Sequence, residues 1–240
     1  MSPKSSSEEP GRPRAEPPRR HFVVVIHGLW KTSVSMRRMA RALKESGFLP
    51  LNRSYPTGWR SVMELARTVD RFARAKGCYQ SDADLSLVTH SCGGLIARAY
   101  ATAFRPPNLR RIVTIAPPNQ GAILADMVRP HPFRGILLKH GVGREIGVGA
   151  EAVYRKLPEE IPAEVGIIAG GLGTSEGFLP LLNEDNDGRV TVASTKLPGA
   201  EGFIVLPCWH TSMLATPEVI AQAVAFLKEG RFSRSSSQHQ

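Results

Sequence analysis

Residues 22–27, Phe-Val-Val-Val-Ile-His, place five large apolar side chains in succession. A strand with one wet face alternates polar and apolar residues. This one does not, so both of its faces must be covered. The segments at 85–89 and 111–115 have the same character, and shorter strands are expected at 49–53, 165–169 and 203–206. Between them the period changes. Val34, Met36, Met39, Ala40 and Leu43 recur at helical spacing and stop at Gly47; Val62, Leu65, Val69, Phe72 and Ala73 do the same before Gly77. A third helix is expected from Gly93 to Phe104. A last one is announced by Thr216, Pro217 and Glu218 as cap, first-turn proline and first-turn acid, and runs to about residue 228. Strands alternating with helices specify an α/β fold with a mostly parallel, six-stranded sheet covered by helices on both faces.

The 240 residues suit one domain, spanning 21–231. Residues 1–20 and 232–240, rich in Pro, Ser, Arg and Glu or in Ser and Gln, are expected to be disordered tails. Residues 121–160 break the strand–helix rhythm with Gly141, Gly143, Gly147 and Gly149, and read as a lid-like insertion over one end of the sheet. No apolar run is long enough to span a bilayer, so no integral membrane association is expected. The first 20 residues lack the apolar core of a secretory signal. Cys78, Cys92 and Cys208 are odd in number and widely spaced, which suits a reducing, cytoplasmic compartment and neither a disulfide framework nor a metal knuckle.

The net charge of +10 raises the question of a nucleic-acid partner. Arg37, Arg38, Arg41 and Lys44, and again Arg67, Arg71, Arg74 and Lys76, lie at helical spacing opposite apolar residues, as solvated helix faces do. No aromatic residues interleave with them as single-strand binding requires. Gly171-Leu172-Gly173 lacks the spacing of a dinucleotide-binding loop. No nucleic-acid partner and no cofactor are expected.

Thr89-His90-Ser91-Cys92-Gly93 joins an apolar strand directly to a helix. Such a turn forces its central residue to φ > 0, projects that side chain outward, and brings strand and helix so close that the flanking positions must be small. Gly93 meets this demand and Gly94 adds clearance; Thr89 stands where glycine is usual. The same five residues also fit a serine N-cap, so residues elsewhere must decide. Acyl transfer needs two backbone N–H groups aimed at the developing oxyanion. Cys92 would supply one, and the His27-Gly28-Leu29 segment ending the first strand would supply the other through Leu29. In this arrangement the acid and then the base follow the nucleophile. His210, between the last strand and the last helix, is the base best placed to reach Ser91; His131 and His140 fall in the insertion and His239 in the tail. The acid is expected among residues 183–188, with Asp187 preferred and Asp185 and Glu184 as alternates. That acidic run lacks the repeated spacing of a calcium loop. Trp30, Ile123 and Leu124, with Leu29, Ile136, Leu137 and Leu138, are available to line an apolar acyl pocket, although apolar side chains more often simply fill core.

The segments VVVIHGL (23–29), VTHSCGGLIAR (88–98), APPNQGA (116–122), NDGRVTV (186–192) and HTSM (210–213) together resemble the α/β-hydrolase superfamily, in particular its small bacterial lipase/esterase-like group. The resemblance spans about residues 21–231. It implies a minimal α/β-hydrolase fold. It also implies Ser91 as nucleophile, His210 as base, Asp187 as orienting acid, and the Leu29 and Cys92 N–H groups as oxyanion hole. The expected activity is hydrolysis of a small-molecule ester or lipid through an acyl-enzyme, without cofactor. The alternative is a catalytically silent member that binds acyl groups or a protein partner.

Overall fold

The computed structural model describes residues 19–132 and 135–233, the Leu137 side chain excepted. The tail expectations for 1–18 and 234–240 fall outside the described residues. Six strands form one sheet: β1 (Arg20–Ile26), β2 (Leu49–Asn52), β3 (Ala83–His90), β4 (Leu109–Ile115), β5 (Glu164–Gly170) and β6 (Gly202–Leu206). Their spatial order is β2-β1-β3-β4-β5-β6, and every pairing is parallel. The helices are α1 (Arg37–Glu45), α2 (Val62–Ala75), α3 (Gly93–Phe104), α4 (Ile123–Val128), α5 (Gly141–Glu145), α6 (Val192–Thr195) and α7 (Pro217–Glu229). The chain therefore has the α/β-hydrolase architecture in a six-stranded form.

The unbroken apolar strands divide their side chains between two cores, as the two-residue strand period requires. Val24, Ile26, Leu85, Leu87, Ile112 and Ile167 pack on one face with residues of α2 and α3. Val23, Val25, Val88, Val113, Ile115 and Ile168 pack on the other with Met39 and Leu43 of α1 and Val219, Ala223 and Phe226 of α7. The basic residues of α1 and α2 named above point away from both cores and are exposed.

Several local expectations need correction. The sheet begins at Arg20, whose backbone N–H bonds the Asp82 carbonyl and whose guanidinium pairs with the Asp82 carboxylate. At the other end Phe232 packs on Phe226, with centroids 4.9 Å apart, and Ser233 N–H donates to Gln222. Thr216 precedes α7 as expected but makes no side-chain cap; its hydroxyl donates back to the Ser212 carbonyl. Among its described residues the 121–160 segment contains short helices and no strand, and it is tied into the first core through Ala122, Ala125, Val142, Ile146, Val153 and Leu157. Buried Arg98 of α3 clamps it by donating to the Leu157 and Pro158 carbonyls, at 2.6 and 2.7 Å. Glu145 accepts from the Val62 N–H that opens α2.

Phe226 is fully buried, and its ring covers Gly166 and Gly202, where an added Cβ would approach it to 2.7 and 2.9 Å. Phe226→Ala leaves a cavity under the β5–β6 edge. It is expected to destabilise the fold by about 3–5 kcal/mol, read as a lower midpoint in chemical denaturation.

Candidate active site

The carboxyl ends of the parallel strands carry the residues singled out above, as open α/β sheets require. Ser91 follows β3 at once and has φ of 55°, in the left-handed region that few non-glycine residues adopt. Its N–H donates to the Ile115 carbonyl at 2.8 Å, anchoring the turn to β4. The close approach behind it depends on Gly93: a Cβ there would lie 2.8 Å from the Ile26 carbonyl oxygen. Ser91 is thus the apex of a strained turn. Thr89 is completely buried and its hydroxyl has no hydrogen-bond partner, so the larger residue at that position is accommodated at the cost of an unsatisfied group.

The loop after β1 is held by His27. Its Nε2 accepts from the Tyr55 N–H at 3.2 Å, so the ring hydrogen sits on Nδ1, which donates to the Gly28 carbonyl at 3.0 Å. The His27 ring stacks on Tyr55 with centroids 4.0 Å apart. Burial lowers the His27 pKa and so favours this neutral form, against the opposing pull of the Gly28 carbonyl. The Gly28 carbonyl also accepts from Lys31 N–H. With that carbonyl fixed, a trans peptide turns the Leu29 N–H to the opposite side. There it lies against Cys92, whose thiol burial pushes up to about 12 despite the Leu29 contact. Leu29 and Cys92 are therefore neighbours at the end of β3.

The acid and the imidazole come from the loops after β5 and β6. Asp187 is fully buried. Its Oδ2 accepts from His210 Nδ1 at 2.6 Å, and its Oδ1 accepts from the Arg189 and Val190 N–H groups at 2.9 and 2.8 Å. The His210 N–H donates to the Asp187 carbonyl at 2.8 Å, which locks the two loops together. Gly170, ending β5, makes room: a Cβ there would lie 2.7 Å from Asp187 Cβ and 2.6 Å from the Cys208 carbonyl. Of the alternates, Asp185 instead braces its own loop by accepting from Leu172 and Gly173 N–H, and Glu184 is exposed. With Nδ1 donating to the carboxylate, the His210 Nε2 lone pair is available to take a proton. Among the described residues no hydrogen bond joins the Ser91 hydroxyl to the His210 ring. In unliganded sites this contact is often long and tightens when substrate binds.

His90 was missed in the sequence, where it is only the variable position of the elbow. It is buried, and its ring lies 4.8 Å from that of His210. Its Nε2 donates to the His210 carbonyl at 2.9 Å, so the residue before Ser91 directly supports the loop carrying the imidazole. Its Nδ1 has no partner. Trp30, also at positive φ (55°), donates its N–H to Thr57 and meets Trp59 edge-on at 5.8 Å. Ile123 is exposed and Leu124 half-buried on the first turn of α4.

The palmitoyl protein thioesterase family model matches residues 22–155. The chain belongs to the palmitoyl protein thioesterase family. The match holds the β1 loop and the Ser91 elbow and stops before Asp187 and His210. Among curated proteins, none matches this family member by sequence. Solved structures similar to it include the mature Bacillus licheniformis lipase BlEst2, 20% identical with TM-score 0.65, covering 91% of this chain and 94% of that one. A metagenomic carboxyl esterase is 20% identical with TM-score 0.61, covering 85% of this chain and 69% of its own. The lin2722 gene product of Listeria innocua is 17% identical with TM-score 0.56, covering 90% and 96%. At these identities the structural likeness is one of fold.

Burial, and then the neighbouring His210, Lys31 and Arg189, hold the His90 pKa well below its ordinary 6.5, although its bond to the His210 carbonyl opposes them. The unfolded chain therefore binds the extra proton first as pH falls. The folded state keeps its full stability above about pH 6.5 and loses it progressively below. Thermal unfolding between about pH 7.5 and 5.5 is expected to show a fall in Tm that is shallower in His90→Gln.

Proposed function

We propose that the chain is a serine hydrolase that cleaves carboxylic esters and thioesters with apolar acyl groups. The buried Asp187–His210 pair, at 2.6 Å on the loops that close over the Ser91 strand end, is the observation that carries this reading. Membership of the thioesterase family and the lipase and esterase likenesses support the class of reaction.

In the proposed mechanism, His210 Nε2 removes the Ser91 hydroxyl proton as Oγ attacks the acyl carbonyl. Asp187 keeps the proton of His210 on Nδ1 and stabilises the imidazolium that forms. Negative charge on the carbonyl oxygen is met by the Leu29 and Cys92 N–H groups. The tetrahedral intermediate then collapses: the bond to the leaving alcohol or thiol breaks, and His210 returns the proton to it. Water, deprotonated by His210, attacks the seryl ester and releases the carboxylic acid and Ser91. Trp30, Ile123 and Leu124 are proposed to contact the acyl chain, and small-molecule esters or lipids are the proposed substrates. The described residues contain no helix long and apolar enough to cross a membrane. The three cysteines are buried and free, which suits the proposed cytoplasmic setting.

Hydrolysis of p-nitrophenyl esters from acetate to palmitate, together with labelling by a fluorophosphonate probe, tests the proposal. Wild-type protein is expected to label and to turn over the series. Ser91→Ala is expected to do neither, and Asp187→Asn to lose about 10³–10⁴-fold in kcat with little change in KM. Folded wild-type protein that neither labels nor hydrolyses any member of the series would establish the silent binding protein instead.

A further inference from the structure

A second feature lies beside the His210 loop. A cavity of about 200 Å³ is walled by Lys31, Ser35, Arg37, Arg38, His90 and Thr211, among others. Lys31 lies two residues beyond Leu29, His90 precedes Ser91, and Thr211 follows His210. The cavity therefore borders both the β1 loop and the loop that carries the imidazole. Its volume holds roughly six water molecules, enough for a small polyatomic anion.

The charge around it is one-sided. Three cationic side chains line it and no carboxylate does. Among the described residues none of the three cations takes part in an ion pair, whereas many other basic residues of the chain do. Arg37 and Arg38 open α1, which continues directly from a 3-10 turn at Ser33–Met36, and the Arg37 N–H donates to the Val34 carbonyl. That helix start has no side-chain cap and no acid in its first turn. Two arginines in a first helical turn are the reverse of the usual placement, and among the described residues no carboxylate pairs with them. Arg189 adds a further positive field at His90. His90 itself, 1% exposed, contributes to the wall. The cations can meet the charged oxygens of a phosphate.

We propose that this cavity binds a phosphate group carried on the leaving portion of the substrate, so that the enzyme acts on acyl esters or thioesters of phosphate-bearing alcohols or thiols. This deepens the hydrolase reading and rests on it. It also accounts for the unpaired positive charge beside the loops that carry Leu29 and His210.

Binding can be measured without turnover. The probe is 2-(octylthio)ethyl phosphate, a thioether that cannot be hydrolysed at the acyl position, with 2-(octylthio)ethanol as the uncharged match. Isothermal titration calorimetry on wild-type protein is expected to show the phosphate probe binding about 10- to 100-fold tighter. Inorganic phosphate should compete with it. The triple variant Lys31→Gln/Arg37→Gln/Arg38→Gln, checked for unchanged thermal unfolding, should bring the two affinities together. Equal affinities in wild-type protein overturn the proposal, as does a preference that survives the triple variant. Binding to phosphatidic acid vesicles without binding of the soluble probe would also overturn it, since the cations would then be a surface patch and no pocket. Loss of ester hydrolysis with retained phosphate preference would refute the catalytic reading and leave the pocket standing.

Discussion

The contact between Gly93 and the Ile26 carbonyl sets the geometry of this molecule's working end. A helix can begin only two residues after a strand if its first turn lies almost against the neighbouring strand, and here a single methyl group at 93 would fall 2.8 Å from a backbone oxygen. The strain of this arrangement is concentrated at Ser91, with φ of 55°. In return the serine projects from the sheet, and the Cys92 amide is carried to the start of α3. The hydrogen bond from Ser91 N–H to β4 and the burial of α3 in the core hold the turn in a conformation it would not adopt alone.

Around that turn the chain builds a shell of histidines, each in a tautomer set by its neighbours. His27 keeps its proton on Nδ1 because Tyr55 N–H occupies Nε2, and thereby fixes the Gly28 peptide. His210 keeps its proton on Nδ1 because the Asp187 carboxylate accepts it. His90 keeps its proton on Nε2 because the His210 carbonyl accepts it. Three similar side chains therefore do three different things: one shapes a loop, one presents a basic nitrogen, and one supports the second from below. The Asp187 carboxylate remains buried because two backbone N–H groups and an imidazole satisfy it, as any buried charge must be satisfied.

The electrostatic picture is equally local. Arg41, Lys44, Arg67 and Arg71 lie on exposed helix faces, where water screens their charge and little structural consequence follows. Beside His90 the same charge is gathered around a concave surface without counter-charge. The net charge of the chain describes neither situation by itself.

Much of this was legible in the sequence. Unbroken apolar runs separated by helical periodicity, with turn residues at their ends, dictate the strands and the long helices within about three residues of where they lie, because burial of both sheet faces leaves no other use for such runs. The Ser91 elbow was legible for the same reason, as a steric requirement written in adjacent residues. Tertiary structure alone decided which of three neighbouring acids meets His210, since all share one loop and only the path forced by Gly170 and the Asp187 backbone bonds separates them. It also decided that His90 reaches a carbonyl 120 residues away, that the 121–160 segment is stitched into the core, and that Thr216 turns back instead of capping its helix. These outcomes depend on how distant loops settle against one another over the sheet, and local pattern carries no information about distances between residues so far apart in the chain.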